Sequence, residues 1–417
     1  MTDVPVASGA KASFSPPFIT EDDIDAVVSV LRSGWITTGP VCQQFEHELA
    51  TSAEAGDCLL VNSGTAALET ALRALDLEPG DEVIVPAYTY TASAASALHA
   101  GATIRLVDSA ADSVFPDTAS ILDAVNSHTK AVVTVDLGGV PAERGELMEA
   151  LAARSDFTPN NELQEAIGRV AVIDDGAHSL GATVQGRGLA TTADFTAASF
   201  HAVKNLTTAE GGALMWRPDL DVDHQAFKAF VRCSVLHGQT KDALAKSGVG
   251  NWEYDILFPG HKQNMPDILA TLGLSQWRRY QSILDRRREI VELYDAALSQ
   301  EGWGRLEHFY PDKTSSYHLY MAFLPDGDVD VRNDLITRMG EEGFATNVHY
   351  KPLPLLSAYK HLGFQESDFP HACSWYQREI TLPVHLHLSD EDVTDLAHTL
   401  NALYHNGGRS RARSSVS

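Results

Sequence analysis

Lys204 stands in the run SFHAVKNLTTAEGG (residues 199–212), among apolar neighbours and ahead of two threonines and two glycines. An amine in such surroundings is driven toward its neutral form, and a neutral lysine amine forms Schiff bases with carbonyl compounds. Ser199 can donate to a phosphate, and the glycines let backbone pass close to a ligand. Upstream, VIDDGAH (172–178) ends an apolar run on two carboxylates. A buried carboxylate is costly without a partner, and a protonated pyridine nitrogen would be such a partner. Strand side chains alternate, so Asp174 and Asp175 are expected to face opposite ways, with Asp175 toward the ligand; a helix N-cap is the alternative for either acid.

Two more motifs precede these. PAYTYT (86–91) follows the apolar run DEVIV. An aromatic there can lie flat on a heteroaromatic ring, worth about 0.5–1.5 kcal/mol beyond burial, or simply cap a sheet. NSGT (62–65) follows CLLV and opens an Ala- and Leu-rich stretch. A glycine turn at a helix start exposes unpaired N–H groups that favour an anion, with the Thr65 hydroxyl as a further donor. Ser or Thr before a helix is more often only a cap. Each motif alone has an ordinary structural explanation. Phosphate turn, aromatic, acid and lysine in this order do not.

The elements around these motifs are short β-rich runs alternating with amphipathic helical stretches, as in DEVIVPAY then TASAASALHAG, or TKAVVTVDLGG then GELMEALAARS. Such alternation implies βαβ units and a mostly parallel sheet covered on both faces, with ligands at the carboxyl ends of the strands. A long helix is expected from about Gln276 to Leu298, where Ile283, Leu284, the stem of Arg287, Ile290, Val291, Tyr294 and Leu298 keep helical spacing. Beyond it come YHLYMAFLP, a helix near Asp330 to Glu342, NVHYKPLP and a last helix near Asp390 to Leu403. The expected organisation is a large domain over residues 1–280, a smaller α+β domain over 281–405, and a flexible tail over 406–417. RSDFTPNNELQEAIG (154–168) reads as a polar surface insertion.

Composition sets the bounds. The chain has 417 residues, 44% hydrophobic and 21% charged, with a formal charge of −25. That is ordinary globular composition, and the net charge repels nucleic acid. No run approaches the roughly 20 apolar residues of a membrane span, and the first residues lack a secretory pattern, so a cytoplasmic protein is expected. Cys42, Cys58, Cys233 and Cys373 are scattered, which argues against a disulfide framework and a zinc site. No GxGxxG follows a strand and no GxxxxGK[ST] loop is present, which sets a dinucleotide dehydrogenase and a P-loop enzyme aside.

At this point the chain resembles the sugar-nucleotide aminotransferases of the DegT/DnrJ/EryC1/StrS family from Pro17 to about Tyr404. The resemblance rests on PFITEDDIDAVVSVLRSGWITTGP, VNSGTAALETAL, GDEVIVPAYTYTASA, AVIDDGAHSLGA, SFHAVKNLTTAEGGAL, PGHKQNMPDILATLGLSQW, NVHYKPLP and REITLPVHLHLSDEDV. It implies the fold type I architecture of pyridoxal-phosphate (PLP) transferases. It also implies a ping-pong transamination from L-glutamate to a nucleotide-linked keto-sugar. The KNLTTAEGG form resembles the members acting at sugar C4, hence an expected 4-keto-6-deoxyhexose.

The resemblance assigns Lys204 the cofactor aldehyde and Asp175 the pyridine nitrogen. It sets His178 beside the ring, Tyr90 stacked on it, and Gly64, Thr65 and Ser199 at the phosphate. Lys262 would reach the phosphate from a second subunit, which makes a homodimer with shared sites. Trp35 and Thr37 would line the sugar pocket, with His349 and Lys351 near the substrate. No metal, nucleic acid or membrane partner is implied, and His385-Leu386-His387 matches a strand-to-helix junction. Three departures stand out: Asp136, where the family usually has His, could signal a different sugar; Ala209 stands where Gly is common; and His261 replaces a common Tyr. A PLP-dependent sugar dehydratase, in which His replaces the catalytic lysine, and a non-catalytic sensor with the same fold are the alternatives. The presence of Lys204 and Asp175 counts against both.

Overall fold

The structure is a computed structural model and describes residues 11–246, 250 and 252–414. Seven strands form the main sheet: β1 (Asp57–Val61), β2 (Glu82–Pro86), β3 (Thr103–Val107), β4 (Thr129–Val135), β5 (Ala171–Asp175), β6 (Phe195–Ser199) and β7 (Gly212–Trp216). Their order is β1-β7-β6-β5-β4-β2-β3, and only β7 runs antiparallel to its neighbours. β4, β5 and β7 are buried along their whole length, as expected of strands covered on both faces. The carboxyl ends of β1, β2, β4, β5 and β6 therefore share one edge, and all four chemical motifs lie there.

Helix Gly64–Ala74 packs its Ala and Leu residues under this sheet, and nine of its residues are buried. Ser63 caps it by accepting from the Ala66 N–H at 3.1 Å. Gly212 is required at the start of β7, because a Cβ there would lie 2.5 Å from the Ser63 carbonyl carbon.

The long helix begins later than its periodicity predicts. Asp267–Trp277 and Tyr280–Leu298 are separate helices, broken where Arg279 leaves helical geometry. The second bridges two cores. Tyr280, Ile283 and Leu284 pack with residues under the main sheet, while Ile290, Val291, Tyr294 and Leu298 pack with the C-terminal elements. Arg287 is buried whole rather than by its stem alone, since its guanidinium donates to the Tyr317 and His318 carbonyls at 3.0 and 2.6 Å. The C-terminal part holds an antiparallel sheet of β8 (Gly304–Arg305), β9 (Tyr320–Phe323) and β10 (Glu379–Leu382) against helices Val329–Glu341 and Asp390–Ser414.

Two further expectations change. The last helix continues past Leu403 to Ser414; residues 415–417 lie outside the described residues. The polar stretch after Ala153 is more than a surface insertion. It contains helix Glu162–Ile167, and the buried Gln164 and the Asn161 side chain both donate to the Leu75 carbonyl, tying the segment to the main sheet's covering helices. Among the described residues no helix is long and apolar enough to cross a membrane. His385 and His387 meet the carbonyls of Ser13 and Pro17, so this pair holds the N-terminal segment.

Candidate active site

The strand ends enclose a cavity of about 350 Å³. Of the residues singled out in the sequence, Gly64, Thr65, Tyr90, Asp175, His178, Ser199 and Lys204 all line it. At one end, the start of helix Gly64–Ala74 turns its first amides toward the cavity beside Ser63, Thr65 and Ser199. Gly64 and Ser199 approach so closely that a Cβ on Gly64 would fall 2.9 Å from the Ser199 Cβ. This is an anion cradle of amides and hydroxyls at a helix N-terminus.

At the other end stands Asp175, buried at the end of β5. Its Oδ2 accepts from Ser93 Oγ at 2.6 Å and its Oδ1 from the Ala177 N–H at 3.3 Å. Burial raises its pKa, with the Ser93 hydroxyl opposing the rise. Among the described residues no ion pair answers its charge, although Lys204 acts on it through the cavity. Burial pushes the Lys204 amine down to about 8, against the pull of Asp175.

Hydrogen bonding determines the state of His178. Its Nδ1 accepts from the Gly138 N–H at 3.2 Å, so the ring proton sits on Nε2 and donates to the Tyr350 hydroxyl at 3.0 Å. Burial, together with Lys204 nearby, pushes the His178 pKa well down and keeps the ring neutral. Tyr350, which also lines the cavity, thus has its own hydroxyl proton free to donate inward. Tyr90 closes the same wall with its ring 5.6 Å from that of Tyr350.

Asp174 faces away, as alternation requires. It and Asp136 share one guanidinium: Arg144 Nη1 lies 2.9 Å from Asp174 Oδ1 and 2.6 Å from Asp136 Oδ1. This corrects the reading of Asp136 as a sugar-selecting residue. Its side chain is fully buried on Arg144 and the Ala142 N–H, and it lines no part of the cavity.

The remaining expected residues lie outside the cavity of this single chain. Trp35 packs over Gly39, and Thr37 is exposed with its carbonyl on the Asp267 amide. Asp267 also accepts from the Gly39 and Cys42 amides, so WITTGP forms a turn fastened to the later PDILAT segment. Lys262 is exposed with its amine on Asn264. Lys351 is exposed, and His349 lies behind the Tyr350 wall, close enough to feel the charge of Lys204. Ser93 and Tyr350 escaped the sequence reading. Ser93 lies in the first turn of helix Thr91–His99, which starts at the end of β2, and Tyr350 adjoins a residue already singled out. Position after a strand end was the signal for Ser93; Tyr350 lies in a loop and carried no such signal.

The donor set fits pyridoxal phosphate. The cradle suits a dianionic phosphate, the unpaired buried carboxyl suits a protonated ring nitrogen, and the depressed lysine suits an aldehyde. Comparison with known proteins agrees. The polysaccharide biosynthesis protein SpsC of the Bacillus subtilis spore coat is 35% identical over 387 residues, 92% of this chain and 94% of that protein. The solved structure of Spr1654 from Streptococcus pneumoniae superposes in its pyridoxamine-phosphate form with a TM-score of 0.92 at 44% identity, covering 95% of this chain and all of that one. Its PLP form gives 0.91 at 42%, with 95% and 99% covered. PseC of Helicobacter pylori, an aminotransferase involved in pseudoaminic acid biosynthesis, gives 0.82 at 26%, with 94% and 99% covered. The model of the DegT/DnrJ/EryC1/StrS aminotransferase family matches residues 17–401, and the chain belongs to that family of PLP-dependent sugar aminotransferases.

Proposed function

We propose that the chain transfers an amino group from L-glutamate to a nucleotide-linked keto-sugar, a 4-keto-6-deoxyhexose, for glycan or secondary-metabolite biosynthesis. One observation carries the site assignment: Lys204 and Asp175 face the same cavity as the amide-and-hydroxyl cradle of Ser63, Gly64, Thr65 and Ser199. When bound, PLP supplies an electron sink for charge developing beside the amino nitrogen. Asp175 would answer a positive ring nitrogen, Tyr90 would cover a ring face, and the cradle would hold the phosphate. Lys204 would hold the aldehyde and, when its amine is free, accept and return a proton. An amine near pKa 8 is suited to accept and return one close to neutral pH. Neutral His178 orients Tyr350 beside the ring, and Trp35, Thr37, His349 and Lys351 serve the sugar side.

The names of the relatives support a sugar acceptor, and the KNLTTAEGG form supports amination at C4. A second copy of the chain would complete the site with its own Lys262. The segment before Lys262 supports this arrangement, since Trp252 and Leu257 are 75% and 64% exposed, as residues awaiting a protein partner are.

A panel of keto-sugar nucleotides supplied with glutamate, with products read by mass spectrometry, tests the reaction. The expected outcome is an amino-sugar from the 4-keto-6-deoxy member; amination of 3-keto sugars alone would overturn that choice. Borohydride reduction and peptide mapping test the lysine independently. The pyridoxyl label is expected on Lys204, and a label elsewhere removes the assignment.

A further inference from the structure

Behind Tyr350, a second set of polar side chains has no part in the roles above. Glu379 and Thr381 lie on one face of β10 and are fully buried. Thr381 Oγ1 is 2.5 Å from Glu379 Oε1 and 2.9 Å from His349 Nδ1, while Glu379 Oε2 accepts from the His349 amide at 2.9 Å. The imidazole is clamped in place, stacked on Phe14 at 5.6 Å and edge-on to Tyr350 at 4.9 Å. Its Nε2 has no protein partner among the described residues, and the ring senses Lys204.

Glu379 is a buried carboxyl with no ion-pair partner among the described residues. Arg332, the nearest cation, gives Nη1 to the backbone carbonyls of Glu379 and Tyr376 and Nε to Asn333, not to the carboxylate. The other titratable groups around it are Tyr88, Tyr350 and His349. Burial raises its pKa to about 8 despite the Thr381 hydroxyl, the His349 amide and Arg332. A buried, unpaired carboxyl costs stability, and packing alone gives no reason for it.

We propose that Glu379 and Thr381 are positioning residues for His349, forming a relay that lets His349 Nε2 accept a proton from the substrate side without leaving an imidazolium beside Lys204. With Glu379 ionised, Thr381 donates to it and accepts from His349 Nδ1–H, so Nε2 presents a lone pair. When a substrate ammonium or hydroxyl gives its proton to Nε2, the Nδ1 proton passes to Thr381 Oγ1. The proton already on Thr381 passes to Glu379 Oε1. One proton has entered, the imidazole is again neutral with its tautomer exchanged, and the added charge is neutralised on Glu379. The reverse path returns the proton.

This role rests on the substrate-side placement of His349 proposed above, so two readouts are used on the full-length holoenzyme. The first is 15N NMR of histidine-labelled protein, with His349 assigned by its loss in His349→Asn. The wild type should carry the proton on Nε2 below about pH 8 and on Nδ1 above it, and Glu379→Gln should abolish the exchange. The second is steady-state kinetics. Glu379→Gln and Thr381→Val should lower kcat about 10- to 100-fold with KM little changed, and flatten the rise of kcat with pH, while Thr381→Ser restores both. A His349 tautomer that does not change with pH in the wild type, or a Glu379→Gln protein with the wild-type pH profile, overturns the relay. If no keto-sugar is aminated at all, the functional reading fails while the NMR experiment still decides the relay.

Discussion

Asp174 and Asp175 are neighbours on β5, both buried, and they meet opposite fates. Asp174 joins Asp136 around Arg144, whose other nitrogens donate to Thr192 Oγ1 at 3.0–3.2 Å. That cluster ties the ends of β4 and β5 away from the cavity. One guanidinium is shared by two acids whose Oδ2 atoms have no partner among the described residues, and burial and Asp136 raise the Asp174 pKa. Asp175 has only Ser93 and one amide, and the rest of its surroundings is cavity. The difference separates an acid that shares a buried guanidinium inside the protein from one that faces the cavity with no cation on it among the described residues. Removing the cation from the first kind leaves buried charge uncompensated and is costly; a carboxylate of the second kind is itself a cost that a cationic ligand can offset.

Substitutions can break or sharpen this contrast. The largest effect is expected on the cavity face. Lys204→Ala should lose amine transfer by about 10⁴-fold or more, with the circular dichroism of the folded protein unchanged, as expected for a residue that both binds covalently and moves a proton. Asp175→Asn should lower kcat about 100-fold or more and weaken PLP retention, measured by absorbance after dialysis, while the protein melts no lower than wild type. A marked drop in melting temperature would place Asp175 in the same class as Asp174.

On the closed face the order reverses. Arg144→Ala leaves two buried carboxylates facing each other and should cost about 3–5 kcal/mol in denaturant unfolding, with much smaller change in the kcat of the folded fraction. An Arg144→Ala protein of wild-type stability but low kcat would overturn the division between the two faces. The smallest effect concerns the lysine loop. Ala209 sits at φ +67°, a left-handed conformation that favours glycine. Ala209→Gly should relieve that strain and stabilise by about 0.5–1 kcal/mol, read as a small rise in melting temperature.

Much of the site was legible because each motif directly follows an apolar run. Gly64, Thr65, Tyr90, Asp175, Ser199 and Lys204 all lie within a few residues of a strand's carboxyl end, and parallel strands bring such ends together whatever their order. Asp136 misled for the same reason. It follows β4 directly like the others, but its side chain points to Arg144, eight residues on at the start of helix Gly145–Ala152, and only the folded turn reveals that. The break before Tyr280 was hidden because apolar spacing continues across it.

Sequence alone therefore determined the kind of cofactor and most of the residues that line the cavity at the strand ends, since those are local features of strand-to-helix turns. Tertiary structure decided what each of the two acids meets on its own face, which proton His178 carries, and what stands behind His349. These depend on pairs far apart along the chain: Ser93 with Asp175 at 82 residues, Tyr350 with His178 at 172, and His349 with Thr381 at 32. Periodicity reports only the face a residue takes on its own element; the group it meets there is set by how the crossovers and the C-terminal elements pack against the sheet edge.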